Sequence, residues 1–230
     1  MPKLHGGHPT MGIIGLHREG RSWFYASLGI GLLVALLLAT LRAPAWVWVG
    51  TSLLWLGWMG FLLLFFRAPH RLCPNQTHHI YAPCDGKVVE VKRTFEPKYF
   101  HAEMLQISIF MAPWDVHINW APAAGKVCFY HHSPGTYLVA WHPKASLLNE
   151  QSFLAVRDSA ERYYAVRQIA GIFARRIATY PTEGTKLQAG EEIGFIRFGS
   201  RVDLLLPLSA RILVVPGQKV RGCITVIAEW

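Results

Sequence analysis

Charge is what this sequence has least of. Asp, Glu, Lys and Arg make up 16% of its 230 residues, against roughly 25% in an ordinary soluble domain, and two stretches have none. Residues 23–41 carry no charge over 19 positions and residues 45–66 none over 22. Each run can cross about 30 Å of bilayer hydrocarbon as a helix. The absence argues against an evenly soluble surface and predicts two transmembrane segments. Only "RAPA", with Arg42 and Pro44, lies between them, which makes a tight turn and an antiparallel hairpin with both flanks on one side. A cleaved signal peptide fits less well, because the first run is long, lacks a clear small-residue cleavage site and leads directly into a second. A buried helical hairpin of a soluble protein is the competing reading, and Trp23, Trp46 and Trp48 near the ends of the runs favour the membrane.

Carboxylates are scarcer than basic residues, 14 against 23, and the formal net charge is +9. Such a balance favours an anionic neighbour, either nucleic acid or a lipid surface. The chain lacks an RNA-binding aromatic signature, a basic helix and zinc-finger spacing. Nucleic acid is therefore not an expected partner, and an anionic bilayer is. Lys3, His5, Arg18 and Arg21 precede the hairpin and Arg67 and Arg71 follow it, so the positive-inside bias puts both flanks on the cytoplasmic face of the cytoplasmic membrane.

Cysteine is also sparse. Cys73, Cys84, Cys128 and Cys223 form no CxxC pair and suit reduced thiols in a cytoplasmic compartment. In "CPNQTHHIYAPC" the side chains of Cys73, His78, His79 and Cys84 are zinc-ligand types, but their spacing matches no common zinc pattern, and adjacent histidines on a strand face opposite ways. No metal site is expected.

Past residue 67 the pattern is period two: "LQISIFM" alternates Leu105, Ile107, Ile109 and Met111 with Gln106 and Ser108, as a half-buried strand does. "KVVEV", "KVCFY", "YYAVRQI", "IGFIRF", "VDLLL" and "ARILVV" behave similarly, punctuated by Pro and Gly. Alternating strand and helix units are missing, which excludes a nucleotide-binding α/β fold. The expected fold is mainly β, a compact β-sandwich or barrel-like domain with an N-terminal transmembrane helical hairpin. Its parts are a cytoplasmic N-terminal segment at 1–22, the hairpin at 23–66 and the β-rich domain at 67–230. "WHPKASLLNEQSF" is polar and aperiodic and reads as a loop near a site.

Among the histidines, His117 stands out. "APWDVHINWAP" holds it between two Ala-Pro turns, two residues after Asp115, so the two side chains would share a side if the strand continues. Asp85 in "PCDG" reads first as turn vocabulary. Residues 67–90 contain no serine. That argues against a membrane-anchored, signal-peptidase-like serine protease, whose nucleophile would sit just past the second span. A non-enzymatic membrane-anchored β-module would account for the "DGKVVEV" and "GEEIG" turns alone.

Six blocks in order, "FFRAPHR", "PCDGKVVEV", "MAPWDVHINWAPAAGKV", "SPGTYLVAWHPKASLLNEQSF", "RQIAGIFARRI" and "IRFGSRVDLLLP", cover nearly all of residues 65–207. Together they resemble the short bacterial and archaeal type of phosphatidylserine decarboxylase. The resemblance implies a proenzyme that cuts itself between Gly199 and Ser200 into chains 1–199 and 200–230 that remain associated, and a homodimer is a family expectation. Ser200 would become a pyruvoyl group, the covalent cofactor. Through a Schiff base with the substrate amine, it would convert phosphatidylserine of the bilayer to phosphatidylethanolamine and CO2. Asp85 is the implied acidic member, Ser200 the nucleophile and His117 the proton carrier. Longer members carry two histidines in the block that here reads "DVHINW", with His117 at the first position and Trp120 at the second. Either His117 serves both steps, or His131 or His132 takes one.

Overall fold

The computed structural model describes residues 15–74, 76–135, 149–171, 177–197 and 200–230, and the chain divides into two compact units, Met1–His70 and Arg71–Trp230.

The first unit is a helical hairpin of β1 (Gly15–Leu16), α1 (Arg18–Thr40), α2 (Ala45–Phe65) and β2 (Arg67–Ala68). Helix α1 begins five residues before the uncharged run, because His17 caps it: its Nδ1 accepts the Glu19 N–H at 3.2 Å. Glu19 in the first turn also suits the positive end of the helix dipole. The β1 and β2 strands pair antiparallel, so the two flanks of the hairpin lie side by side. The helices join through Trp58 Nε1, which donates to Ser27 Oγ at 2.9 Å, and Trp55 Nε1, which donates to the Ser27 carbonyl at 3.2 Å. Both helices are long and apolar enough to cross a membrane, and their side chains face outward, with Leu32 73% and Trp46 77% exposed.

The second unit is built from strands: β3 (His79–Tyr81), β4 (Gly86–Glu96), β5 (Ala102–Met111), β6 (Ile118–Trp120), β7 (Gly125–Ser133), β8 (Gln151–Arg157), β9 (Tyr163–Ala170), β10 (Ile177–Thr179), β11 (Lys186–Leu187), β12 (Glu192–Ile196), β13 (Ser200–Leu206), β14 (Arg211–Ile212), β15 (Lys219–Val220) and β16 (Val226–Glu229). Eight form one antiparallel sheet in the order β11-β7-β8-β9-β13-β5-β4-β15, which curls into a half-barrel. Two three-stranded sheets, β10-β12-β6 and β14-β16-β3, complete the unit. All three share one apolar core, with Val88, Ile109, Val166 and Val202 of the large sheet meeting Ile196 and Ile227 of the small ones. This is the mainly β, barrel-like architecture expected from the period-two segments.

Two expectations need correction. Strand β5 is buried on both faces rather than half-buried: Ile107 and Ile109 enter the main core, while Gln106 and Ser108 on the other face are 3% and 0% exposed. Polar residues tolerate that burial because they are bonded there: Gln106 Nε2 donates to Ser108 Oγ at 2.9 Å and Arg201 Nη2 donates to the same hydroxyl at 2.8 Å. Arg201 also donates to Asp203 at 2.6 Å. Likewise the end of the expected polar loop is strand, since Gln151, Ser152 and Phe153 open β8 and are buried. Residues 136–148, which include the rest of that loop, lie outside the described residues.

Candidate active site

Ser200 is the first residue of β13, pairing with Met111 of β5 on one side and Ala170 of β9 on the other. The pairing places it in the middle of the large sheet, at the end where β5 and β9 finish and β4 begins. It is fully buried, and its Oγ donates to Met111 Sδ at 3.3 Å. Gly199, the other half of the expected cleavage site, lies outside the described residues.

His117 arrives from the small β10-β12-β6 sheet. Register aligns Thr179, Gly194 and Asn119 in one row, and two rows further along Ile177 pairs with Ile196, whose N–H donates to the His117 carbonyl at 3.3 Å. The first row lies over Ser152 and Gln168, because Thr179 Oγ1 bonds Ser152 Oγ at 3.0 Å and Gln168 Oε1 at 2.9 Å. The second meets Glu150, whose Oε1 takes the Ile177 N–H at 3.5 Å and whose carbonyl takes the Ala170 N–H at 2.9 Å. Ala170 is the partner of Ser200. The register therefore brings His117 to the Ser200 end of the sheet.

Asp115 does not extend the strand beside His117. It closes a turn, accepting the Ala112 N–H on Oδ2 at 2.8 Å, and it is the Asp115 main-chain oxygen that meets His117 Nδ1, at 2.9 Å. A carbonyl only accepts, so Nδ1 carries the proton, and in the neutral ring Nε2 holds the lone pair. The buried imidazole thus has its orientation fixed by the turn.

Asp85 is held by other partners. Arg71 grips both its oxygens, Nη2 donating to Oδ2 at 2.8 Å and Nη1 to Oδ1, and the Gly222 N–H donates to Oδ1 at 2.9 Å. Arg71 Nη1 also donates to the Gly222 carbonyl at 2.9 Å, and its guanidinium lies 5.0 Å from the centre of the Trp120 ring, a cation–π geometry. Gly222 must be glycine, since a Cβ there would collide with the Trp120 ring. Arg71 is therefore no loose surface charge but half of an ion pair whose side chains are 12% and 11% exposed. The main-chain bond from Trp120 N–H to the Pro83 carbonyl, at 2.8 Å, ties this clamp to β6, the strand that begins just after His117. His131 and His132 are exposed on β7, and His132 Nε2 lies 3.6 Å from Glu150.

The family model described as phosphatidylserine decarboxylase matches residues 58–228. The chain belongs to the phosphatidylserine decarboxylase family. Among its curated relatives, the phosphatidylserine decarboxylase proenzyme of Amoebophilus asiaticus is 42% identical over 93% of this chain and 96% of the relative. That of Cytophaga hutchinsonii is 43% identical over 94% and 98%, and that of Salinibacter ruber 43% identical over 82% and 85%.

This family member holds bonding partners that sequence reasoning passed over: the buried Asn119, Gln168 and Ser152 and the half-buried Thr179 near Ser200, and the half-buried Arg71 and the Gly222 main chain at Asp85. A signal existed for some of them. Asn119 and Gln168 interrupt apolar strands at inward positions, where polar residues are rare without a bonding partner. Gly222 offered none, being one of 20 glycines.

Three thiols crowd the Asp85 clamp. Burial pushes Cys73 up to about 11 and Cys223 up to about 12. Cys84 is also raised, first by burial and then by the fields of Asp85, Asp115 and Asp203. An unfolded thiol near the reference value of 9.0 releases its proton before the folded one does, so above pH 9 the unfolded chain binds fewer protons and stability falls as pH rises. The contribution is fully present below about pH 9 and is lost between pH 9 and the folded values near 11 and 12. Burial of the Tyr164 hydroxyl acts in the same direction. Denaturant midpoints at pH 8, 9.5 and 11 are expected to fall in that order; a constant midpoint would count against these buried thiols.

Proposed function

We propose that this chain is a membrane-bound phosphatidylserine decarboxylase that cuts itself between Gly199 and Ser200 and releases CO2 from phosphatidylserine to give phosphatidylethanolamine. The observation that carries the reading is Ser200 itself, a fully buried serine opening a central strand at the sheet end that receives His117. A serine hydroxyl needs a base before it attacks a carbonyl, and His117 Nε2 is the base whose orientation is fixed. Attack by Oγ on the Gly199 carbonyl gives an ester; elimination releases the Gly199 carboxylate and leaves dehydroalanine at residue 200, whose imine tautomer takes up one water and loses ammonia to leave a ketone. Asp85, fixed by Arg71 and Gly222, supplies a buried carboxylate close to the same strand ends.

The surroundings of Ser200 suit a pyruvoyl group: it lies in a water-poor core yet has bonded polar side chains within reach. Such a group supplies a carbonyl that takes up the electrons left when CO2 departs. His117 then acts as the proton donor to the carbon that lost CO2, the same imidazole serving both steps. The 31 residues from Ser200 onward contribute β13, β14, β15 and β16, and three of these pair with strands of the preceding chain. After cleavage the two fragments stay associated through those ladders.

The hairpin holds the domain at the bilayer interface, where a diacyl lipid is concentrated and oriented. The basic flanks put that domain on the cytoplasmic face. An intact-mass spectrum tests the whole reading. Two species divided at 199/200, with the 31-residue fragment lighter by one ammonia than a serine-started peptide, are expected. A single uncut chain of 25.9 kDa would overturn it.

A further inference from the structure

The geometry points to Asn119 as a positioning residue for Ser200, and this rests on the self-cleavage proposed above. Asn119 is fully buried on β6, and its Nδ2 donates to Met111 Sδ at 3.6 Å. That sulfur is the acceptor on which the Ser200 hydroxyl also rests, at 3.3 Å. The amide cannot turn around, because Gln168 Nε2 donates to Asn119 Oδ1 at 2.7 Å. Gln168 is itself fixed by two hydroxyls on its Oε1, from Ser152 at 2.6 Å and Thr179 at 2.9 Å. Each donor hands its direction to the next, and the chain ends with an N–H₂ group on the sulfur that also receives the Ser200 hydroxyl.

Gly194 makes room for this relay. It is the register partner of Asn119 and of Thr179, and a Cβ on it would come within 2.6 Å of Gln168 Nε2 and collide with the Ala178 carbonyl. A side chain there would push Gln168 away from Asn119. A chain of four fully buried polar side chains, Ser200, Asn119, Gln168 and Ser152, with the half-buried Thr179 at its far end is costly to maintain in an otherwise apolar core, and a weak thioether acceptor is a poor structural reason for it.

The arrangement suits the first chemical step. A thioether holds the Ser200 proton so loosely that His117 Nε2 can take it, whereas a carboxylate or carbonyl would compete. As Oγ bonds to the Gly199 carbonyl carbon, negative charge develops at the reacting centre. The 199–200 C–N bond then breaks, and the proton first taken from Oγ ends on the released amine. An amide has two N–H bonds, and Asn119 uses one of them on Met111, so the second is the donor available to that charge.

The test compares Asn119→Ala with Asn119→Asp, following the rate of self-cleavage in freshly synthesised full-length protein. The Ala variant is expected to cut about a hundredfold more slowly than wild type, the usual effect of losing one such donor. The Asp variant is expected to be slower still at pH 8, where a carboxylate faces the developing charge, and to recover as the pH is lowered and its protonated oxygen donates. Packing alone predicts the opposite order, Ala slower than Asp with the same pH profile as wild type, and that result overturns the proposal. If Asn119→Ala fails to fold, Gln168→Met conserves volume and leaves Ser152 and Thr179 bonded to each other at 3.0 Å. It should cut about tenfold more slowly, the worth of one orienting hydrogen bond, and a wild-type rate would count against the relay. Uncut wild-type protein would sink the self-cleavage itself, while wild type and variants cut at equal rates would sink only the role of Asn119.

Discussion

Ser200→Ala is expected to remain one chain, to show no carbonyl reactive toward amines and to release no CO2 from phosphatidylserine. The effect is total because a single atom, Oγ, is both the nucleophile of the cut and the reason a ketone can form at residue 200. The fold should survive. Ser200 pairs with Met111 and Ala170 through its main chain, which alanine preserves, and its hydroxyl gives up only a bond to a thioether, a loss of at most about 1 kcal/mol. Mass spectrometry and a thermal melt on one preparation separate the two effects. A Ser200→Ala protein that is still cut between 199 and 200, or that still decarboxylates, would remove Ser200 from the mechanism. Ser200→Cys keeps a nucleophile at the same place and is expected to cut slowly rather than not at all.

Arg71→Met carries the largest expected loss of stability. It strips both guanidinium bonds from a carboxylate whose side chain is 11% exposed and leaves only the Gly222 N–H on it. Breaking a buried pair from one side costs about 3–5 kcal/mol, because the charge that remains has lost both its water and its partner. For a domain of this size that corresponds to a melting temperature roughly 10 °C lower. The Trp120 ring loses its cation as well. Arg71→Met combined with Asp85→Asn removes the stranded charge and should recover most of the melting temperature without recovering self-cleavage. A single variant that melts with wild type would mean that water reaches Asp85 freely, and a double variant that cuts at the normal rate would remove the Asp85 charge from the reaction.

How much of this was legible beforehand depends on the range of the signal. The two uncharged runs gave the helices, although α1 starts earlier because His17 caps it, a choice made by one side chain and not by hydropathy. Period two gave the strands of the large sheet but misjudged β5, since alternation reports which residues are polar and not what covers them. The fate of Gln106 and Ser108 was decided by Arg201 from another strand. The turn that brings the Asp115 carbonyl to His117 Nδ1 was likewise invisible to spacing, because the same two-residue interval fits a strand or a turn.

The sequence by itself determined what depends on neighbours along the chain: the two long apolar helices, the β character of the rest, and the ordered blocks in which Asp85, His117 and Ser200 lie. Only the tertiary structure decided which distant groups complete the site. Arg71 and Gly222 meet Asp85 across 14 and 137 positions of sequence, and Gln168 meets Asn119 across 49. Those contacts join turns or strands of different sheets, which only the burial of the shared core brings together, so they leave no mark along the chain on the few residues that end side by side.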